Sequence, residues 1–328
     1  MKNPAFALLF AAFAAHAQQH TMKLSSPTIN DSTQEWMKAF KSGVEARSGG
    51  KIKVEIYPAS QLGPIPRTVE GVALGTIEMT LPATGFLAGL EPRFVVFDAP
   101  GLFDSMQHAQ RVFADPEVRK RLATFGSGKG VEPLITFVHG PLMLLSHKPI
   151  RAVADFRGQK IRVPGGAPLH LEPFRKLGAS PLSIPLGEVM PAMQNRSIDG
   201  FIGGLTVFTS FKYYDVAKGL TQLPGSHLIA AGLTNRNFMK SLGPELEAIV
   251  RDEARKAEAI FSAWGVEDVE RGRRIWAQNG GENITLPGAE AKRYLDETTS
   301  VLPGLLAANP QLKEDFEALV AAARRNRQ

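Results

Sequence analysis

Residues 157–166 read RGQKIRVPGG, a short strand-like run over Lys160, Ile161, Arg162 and Val163 that is stopped by Pro164 and two glycines. Ile161 and Val163 share one face of a period-two strand, which turns Arg162 to the other face beside the point where the chain must turn. A guanidinium keeps its charge and offers a rigid fork that matches a carboxylate, a charge-assisted contact of roughly 1.5–3 kcal/mol. In open α/β sheets ligands gather at the carboxyl ends of strands, and the PGG that follows permits close backbone approach. The residues alone leave two readings open: an anion clamp in a cleft, or a surface arginine paired with an acidic neighbour.

Other residues could line such a cleft. His139 ends a strand-like run and either faces a cleft or makes a local hydrogen bond at a boundary. Ser25, Ser26 and Thr84 fall at strand ends, where a hydroxyl can donate to a carboxylate or cap a turn. Phe201, Phe208, Phe211, Tyr213 and Tyr214 crowd together; most should be packing, with Phe201 and Phe208 the two placed to floor a pocket. Asn235, on a loop before a long helix and near a hinge, is a further polar candidate.

The chemistry that is missing narrows the field. The sequence has no HExxH, no GxSxG and no Walker loop, and its seven histidines show no metal-like spacing. The run Phe125-Gly-Ser-Gly-Lys-Gly130 has Ala123 where a phosphate loop needs its first glycine, and reads as a solvent turn. No catalytic residue, metal site or cofactor is expected.

These side chains need elements to position them. The chain has 328 residues, 44% hydrophobic and 21% charged, which is globular composition with enough length for two lobes. Its 38 Lys+Arg against 32 Asp+Glu give a net charge of +6, but the basic residues are scattered and no stacking aromatics accompany them, so nucleic acid is not an expected partner. The first residues, MKNPAFALLFAAFAAHAQQ, hold one lysine, an apolar run too short to span a bilayer, and Ala15-His16-Ala17, a small-x-small cleavage pattern. Residues 1–17 therefore read as a secretory signal, and the absence of cysteine means that an exported chain must rely on its core rather than on disulfides. A periplasmic location is expected.

Strand and helix signals alternate twice. Strands are expected over 21–25, 52–56, 76–81 and 131–138, with helices over 34–47, 67–74 and 105–124 between them. After residue 142 come strands near 142–146, 160–163, 180–184 and 197–202, and helices over 168–177 and 187–195. Alternation of this kind implies parallel βαβ units. Residues 244–278 contain no internal proline beyond a first-turn Pro244 and predict one helix roughly 50 Å long at ~1.5 Å per residue, long enough to cross both lobes. The chain should cross between lobes near Gly140, near Ser226 and within that helix. This gives lobe I as 18–140 plus about 227–264, and lobe II as 141–226 plus about 265–328.

One ordered set of segments goes further: GGKIKVEIYP from Gly49, QLG from Gln61, GTIEM from Gly75, APGLF from Ala99, DFRGQKIRVP from Asp155 and AMQNRSIDG from Ala192. In this order, over nearly the whole mature chain, they resemble the solute-binding subunits of TRAP (tripartite ATP-independent periplasmic) transporters, of the C4-dicarboxylate-binding-protein family. The resemblance implies a two-lobed periplasmic solute-binding fold, each lobe a sheet flanked by helices, with a long C-terminal helix spanning both lobes. It implies no enzymatic activity, and a ligand that is a small organic acid handed to TRAP membrane permease subunits by a monomeric carrier. It also implies that Arg162, in the matching G-x-K-I-R-V-P segment, clamps the ligand's carboxylate. Two positions depart from the family pattern: Leu142 stands where many relatives carry a second arginine, and Gly203 where they carry asparagine. A monocarboxylate or an oxo or hydroxy acid, with an apolar or aromatic tail, is expected in place of a C4-dicarboxylate or sialic acid. A ligand sensor for a signalling receptor, or a periplasmic enzyme on the same scaffold, are the alternatives.

Overall fold

The computed structural model describes residues 20–327, so the signal reading of residues 1–17 lies outside the described residues. The chain opens with β1 (His20–Ser25), α1 (Ser32–Arg47), β2 (Ile52–Tyr57), α2 (Ile65–Leu74) and β3 (Met79–Thr80). Asp31 caps α1 by accepting from the Gln34 N–H, and Trp36, Met37, Phe40 and Val44 form the stripe that α1 buries. In β2 the alternation is visible in burial, with Ile52 and Val54 at 0% exposure and Lys53 between them exposed. Left-handed Gly75 (φ 76°) ends α2.

Next come α3 (Met106–Ala114) and α4 (Pro116–Leu122), two helices where the sequence predicts one. Asp115 breaks the run by capping α4 through the N–H groups of Glu117 and Val118, and Pro116 takes the first helical position.

The centre of the molecule departs from the expected rhythm. Strand β4 (Val131–Ser146) runs 16 residues without ending at 138, and β8 (Gly219–Asn235), a 17-residue strand in a stretch where the sequence gives no strand signal, lies antiparallel beside it. Prolines and glycines that read as terminators sit at irregularities instead, between Pro133 and Ile135, Val138 and Gly140, and Pro141 and Met143. A bulge tolerates a residue with no N–H to give to the ladder.

Between them lie β5 (Lys160–Val163), α5 (Pro168–Lys176), β6 (Ser180–Ser183), α6 (Leu186–Gln194), β7 (Gly200–Gly203) and α7 (Leu205–Ser210). Strands β1, β2 and β3 form a parallel wing on one end of the long pair, and β5, β6 and β7 a parallel wing on the other. The sheet order is β2-β1-β3-β8-β4-β7-β5-β6, with β9 (Glu282–Thr285) on the Gly219 end of β8. The result is the expected mixed α/β, two-lobed form, with the long pair common to both wings.

After α8 (Arg236–Ser241), the single long helix expected over 244–278 is α9 (Gly243–Ala257) followed by α10 (Ala259–Gln278), bent at Glu258. There the hydrogen bonds tighten to three-residue spacing, Glu258 N–H to Arg255 O and Phe261 N–H to Glu258 O. The bend lets one apolar stripe serve two cores: Val250 and Ala254 pack beside Trp36, while Val269 and Trp276 join the cluster of Phe201 and Phe208.

Of the closing helices α11 (Gly288–Thr299), α12 (Leu302–Ala307) and α13 (Pro310–Arg325), the last packs on α3, α4 and the turn over 92–98. Arg93 forks onto the buried Asp315 carboxylate at 2.6 and 2.8 Å, and Arg121 adds a third bond at 2.8 Å. Residues 310–325 therefore pack on elements of the N-terminal part of the chain. Among the described residues no helix is long and apolar enough to cross a membrane.

Candidate functional site

Strand β5 lies between β6 and β7 in parallel, with Arg162 opposite Leu182 on one side and Phe201 on the other. The residue next to a chain turn is thus an interior one: Arg162 is 2% exposed. Its Nε donates to the Ile184 carbonyl at 3.0 Å, its Nη2 is buried without a hydrogen-bond partner, and its guanidinium lies 5.5 Å from the centre of the Phe86 ring. Among the described residues no carboxylate comes within ion-pair distance of it. Burial in this apolar setting pushes its pKa down to about 10, well below the usual guanidinium range, against a smaller opposing influence of Tyr213. At neutral pH it is still a cation, and one that is uncompensated.

Arg162 lines a cavity of about 50 Å³ between the two wings, room for a few water-sized groups. Ile65, Leu81 and Phe86 supply apolar wall from the first lobe, and Leu186, Phe201 and Val207 from the second. Three side chains on this wall carry a buried polar atom with no partner: Arg162 Nη2, His139 Nδ1 and Thr33 Oγ1.

The imidazole of His139 is fixed from behind. Its Nε2 lies 3.0 Å from Asp31 Oδ2. Burial pushes the Asp31 carboxyl up, but the bond to and charge of His139, with further bonds from Thr28 and Gln34, outweigh it and hold the group below its usual range. A carboxylate only accepts, so Nε2 carries the proton and Nδ1 is the nitrogen left free.

Four of the eight residues singled out from the sequence meet at this cavity: Arg162, His139, Phe201 and Gly203. The other four are engaged elsewhere. Phe208 packs edge-on against Phe201 at 4.9 Å, behind the wall. Thr84 donates toward Asp98 and the Ile229 carbonyl, each at 3.2 Å, while its neighbours Ala83 and Phe86 form the wall. Ser26 turns back onto Thr28, accepting its N–H at 3.2 Å. Asn235 ends β8 instead of standing on a loop; it caps α8 by accepting from Phe238 and donates to the Val72 carbonyl at 2.8 Å. Leu142 packs beside the core of Leu144 and Phe156 and does not line the cavity.

Thr33 and Asp31 had no signal of their own, because threonine and aspartate at a helix start read as caps, and Asp31 is one. Among the described residues no group of three or more His, Asp or Glu could hold a metal ion.

Residues 25–300 match the family model described as bacterial extracellular solute-binding protein, family 7. The chain is 27% identical over 266 residues to the 2,3-diketo-L-gulonate-binding periplasmic protein YiaO of Escherichia coli K12, covering 78% of this chain and 80% of that one. It is similar in structure (TM-score 0.89, 25% identity, 94% of this chain and 100% of the other) to a TRAP periplasmic solute-binding protein from Desulfovibrio salexigens with bound orotic acid. A TRAP solute-binding protein from Bordetella bronchispeptica, whose density was assigned to pantoate, is similar at TM-score 0.84 and 25% identity over 94% of this chain and 100% of that one. With this fold, and with a family match that covers both wings of the sheet and the Arg162 cavity between them, the chain belongs to the family 7 extracellular solute-binding proteins, the solute-binding subunits of TRAP transporters.

Proposed function

We propose that this protein binds a small monocarboxylate between its lobes, with Arg162 as the carboxylate clamp, and delivers it to a TRAP membrane permease. The observation that carries this reading is the uncompensated guanidinium: Arg162 is 2% exposed, has Nη2 unpartnered, and faces an apolar cavity. A buried cation without a counter-charge is costly unless something neutralises it. An incoming carboxylate would do so, and the low-dielectric wall would strengthen the contact.

The remaining cavity residues favour one charge at one end of the ligand. His139 and Thr33 offer hydrogen bonds, the charge of His139 is matched by Asp31 behind it, and Leu142 turns away. A hydroxyl or oxo group on the ligand would suit them, and Phe86 and Phe201 would suit its apolar or aromatic part. The three relatives named above fit the pattern, since diketogulonate, orotate and pantoate are all monocarboxylates that carry oxo or hydroxyl groups. The protein acts as an exported binding component and not as an enzyme. Energy for transport comes from the membrane partner.

A thermal-shift screen of the mature protein against organic acids, repeated on Arg162→Ala, tests the proposal. A ligand at a hundred times its dissociation constant stabilises by about 2.7 kcal/mol and raises the midpoint visibly. An acid that shifts the parent and leaves Arg162→Ala unmoved supports the clamp. Equal shifts in both proteins would remove Arg162 from the site.

A further inference from the structure

The seam beside the cavity carries a contact that ligand binding does not explain. Asp98 ends the short helical turn over 92–98 in the first lobe, and His170 stands in the first turns of α5 in the second. His170 Nε2 lies 2.8 Å from Asp98 Oδ2, off the axis of a hydrogen bond, so the contact is ionic and attractive when the imidazole carries its proton. His170 is 5% exposed and the Asp98 side chain 12%.

Both ends of this pair are wired to the cavity. On the first lobe, Thr84 Oγ1 bridges Asp98 and the Ile229 carbonyl of β8, and Phe86 two residues on covers the Arg162 guanidinium. On the second lobe, the chain runs from Arg162 through Pro164 and Gly165 straight into α5. The backbones meet between these ends: a Cβ at Gly165 would collide with the Gly85 carbonyl, and one at Gly85 would collide with His170. Outside this seam lies a groove of about 650 Å³ lined from both lobes, by Gly85, Phe86 and Pro92 and by Gly165, Pro168 and Ile184. Phe86 lines both this groove and the inner cavity.

We infer that Asp98 and His170 form an interlobe latch that holds the cavity shut, with the Gly85–Gly165 contact as its stop and Phe86 as the door between groove and cavity. The latch closes the protein whatever acid it carries, and opening requires two buried polar groups in contact to part. It sets the lifetime of the closed form; the clamp sets what is bound.

The chain contains no cysteine, so Glu70→Cys and Lys176→Cys, both at exposed positions on α2 and α5, give one spin label on each lobe with no background. Pulsed EPR distances are then measured on the ligand-free protein with Asp98→Asn, His170→Gln and the two combined. The expected result is a shift of the closed-to-open ratio by at least about tenfold in each single variant, with the double variant no more open than either single one. If one isostere does not fold, as judged by its circular dichroism, the other carries the test. A distance distribution unchanged by the substitutions overturns the latch, and so does an additive effect in the double variant, since that would mean that the two residues act separately. No ligand is present in this experiment, so a failed carboxylate clamp at Arg162 leaves its outcome intact.

Discussion

Asp31 Oδ2 lies 3.0 Å from His139 Nε2, joining the N-cap of α1 to the irregular middle of β4, where the long strand passes from one lobe to the other. The two residues are 108 positions apart and both are buried. Asp31 serves two structural roles at once, so its substitutions should separate them. Asparagine caps a helix about as well as aspartate, and alanine does not. Asp31→Asn should cost about 1 kcal/mol and Asp31→Ala about 2–4 kcal/mol, the larger loss combining the cap with an unpaired imidazole. Urea unfolding of the two variants against the parent measures the difference. Equal losses would mean that the cap contributes nothing.

The part of the site nearest to local sequence was the part that could be read. Arg162 shows itself through a charged residue in an apolar strand just before Pro-Gly-Gly, and the fold does bury it at a cavity. Phe201 and His139 were legible for the same reason, since each was read at the end of a strand, while Gly203 was reached only through the family resemblance. Asp31 and Thr33 were not, because their contact with the cavity depends on where α1 lands relative to β4, and their local pattern is fully explained by capping. Strand β8 was hidden by Pro224 and Gly225 in its middle and by the unbroken apolar run after them, which lacks the alternation of a half-exposed strand. Its partner β4 lies about ninety residues earlier in sequence, and pairing at that distance leaves no trace in either segment alone.

The seam at Gly85 and Gly165 predicts a variant that binds poorly while its lobes stay intact. Gly165 adopts φ +87°, a region that side chains rarely enter, and its added methyl would meet the Gly85 carbonyl of the opposite lobe. Gly165→Ala should therefore weaken acid binding by roughly tenfold or more through impaired closure, about 1.4 kcal/mol, beyond the roughly 1 kcal/mol of stability that an alanine at positive φ costs the fold. Isothermal titration with the acid found by thermal shift measures it. Parental affinity would show that the two backbones need not meet in the bound form.

His227 should make the fold sensitive to acid. Burial, with the neighbouring positive potential of His108, pushes its pKa from 6.5 down to about 4, against a weaker pull from Asp104. The unfolded chain thus holds the proton more tightly than the folded one between those values. Stability must then rise with pH across the window from about 4 to 6.5, and be lost as pH falls through it. The single group accounts for up to about 3 kcal/mol of stability across that window. Replacing it by His227→Gln should flatten the curve of unfolding free energy against pH in this window and leave the curve above pH 7 parallel to the parent's. A slope that persists unchanged would assign the acid sensitivity to other groups.

Arg162 should be a site where binding and stability pull in opposite directions. Its pKa, pushed down to about 10, says that the fold disfavours the charge it holds. The sign follows from proton counts: the unfolded chain binds the Arg162 proton more tightly, so the penalty is fully present at every pH below about 10 and is relieved only as pH rises above that toward the ordinary guanidinium range. A side chain of similar length without charge should lift that penalty, because an apolar replacement of a buried unpaired cation fits the wall of Ile65, Phe86 and Phe201. Arg162→Met is thus expected to stabilise the ligand-free protein by about 1–3 kcal/mol in urea unfolding at pH 7, the lower end allowing for the lost bond to the Ile184 carbonyl. The same variant should lose the midpoint rise that an organic acid gives the parent. Arg162→Lys keeps the charge but not the fork, so it should retain the penalty and recover only part of the binding. If Arg162→Met were less stable than the parent by several kcal/mol, the guanidinium would be held by the fold for structure, and its missing counter-charge would not be the ligand's to supply.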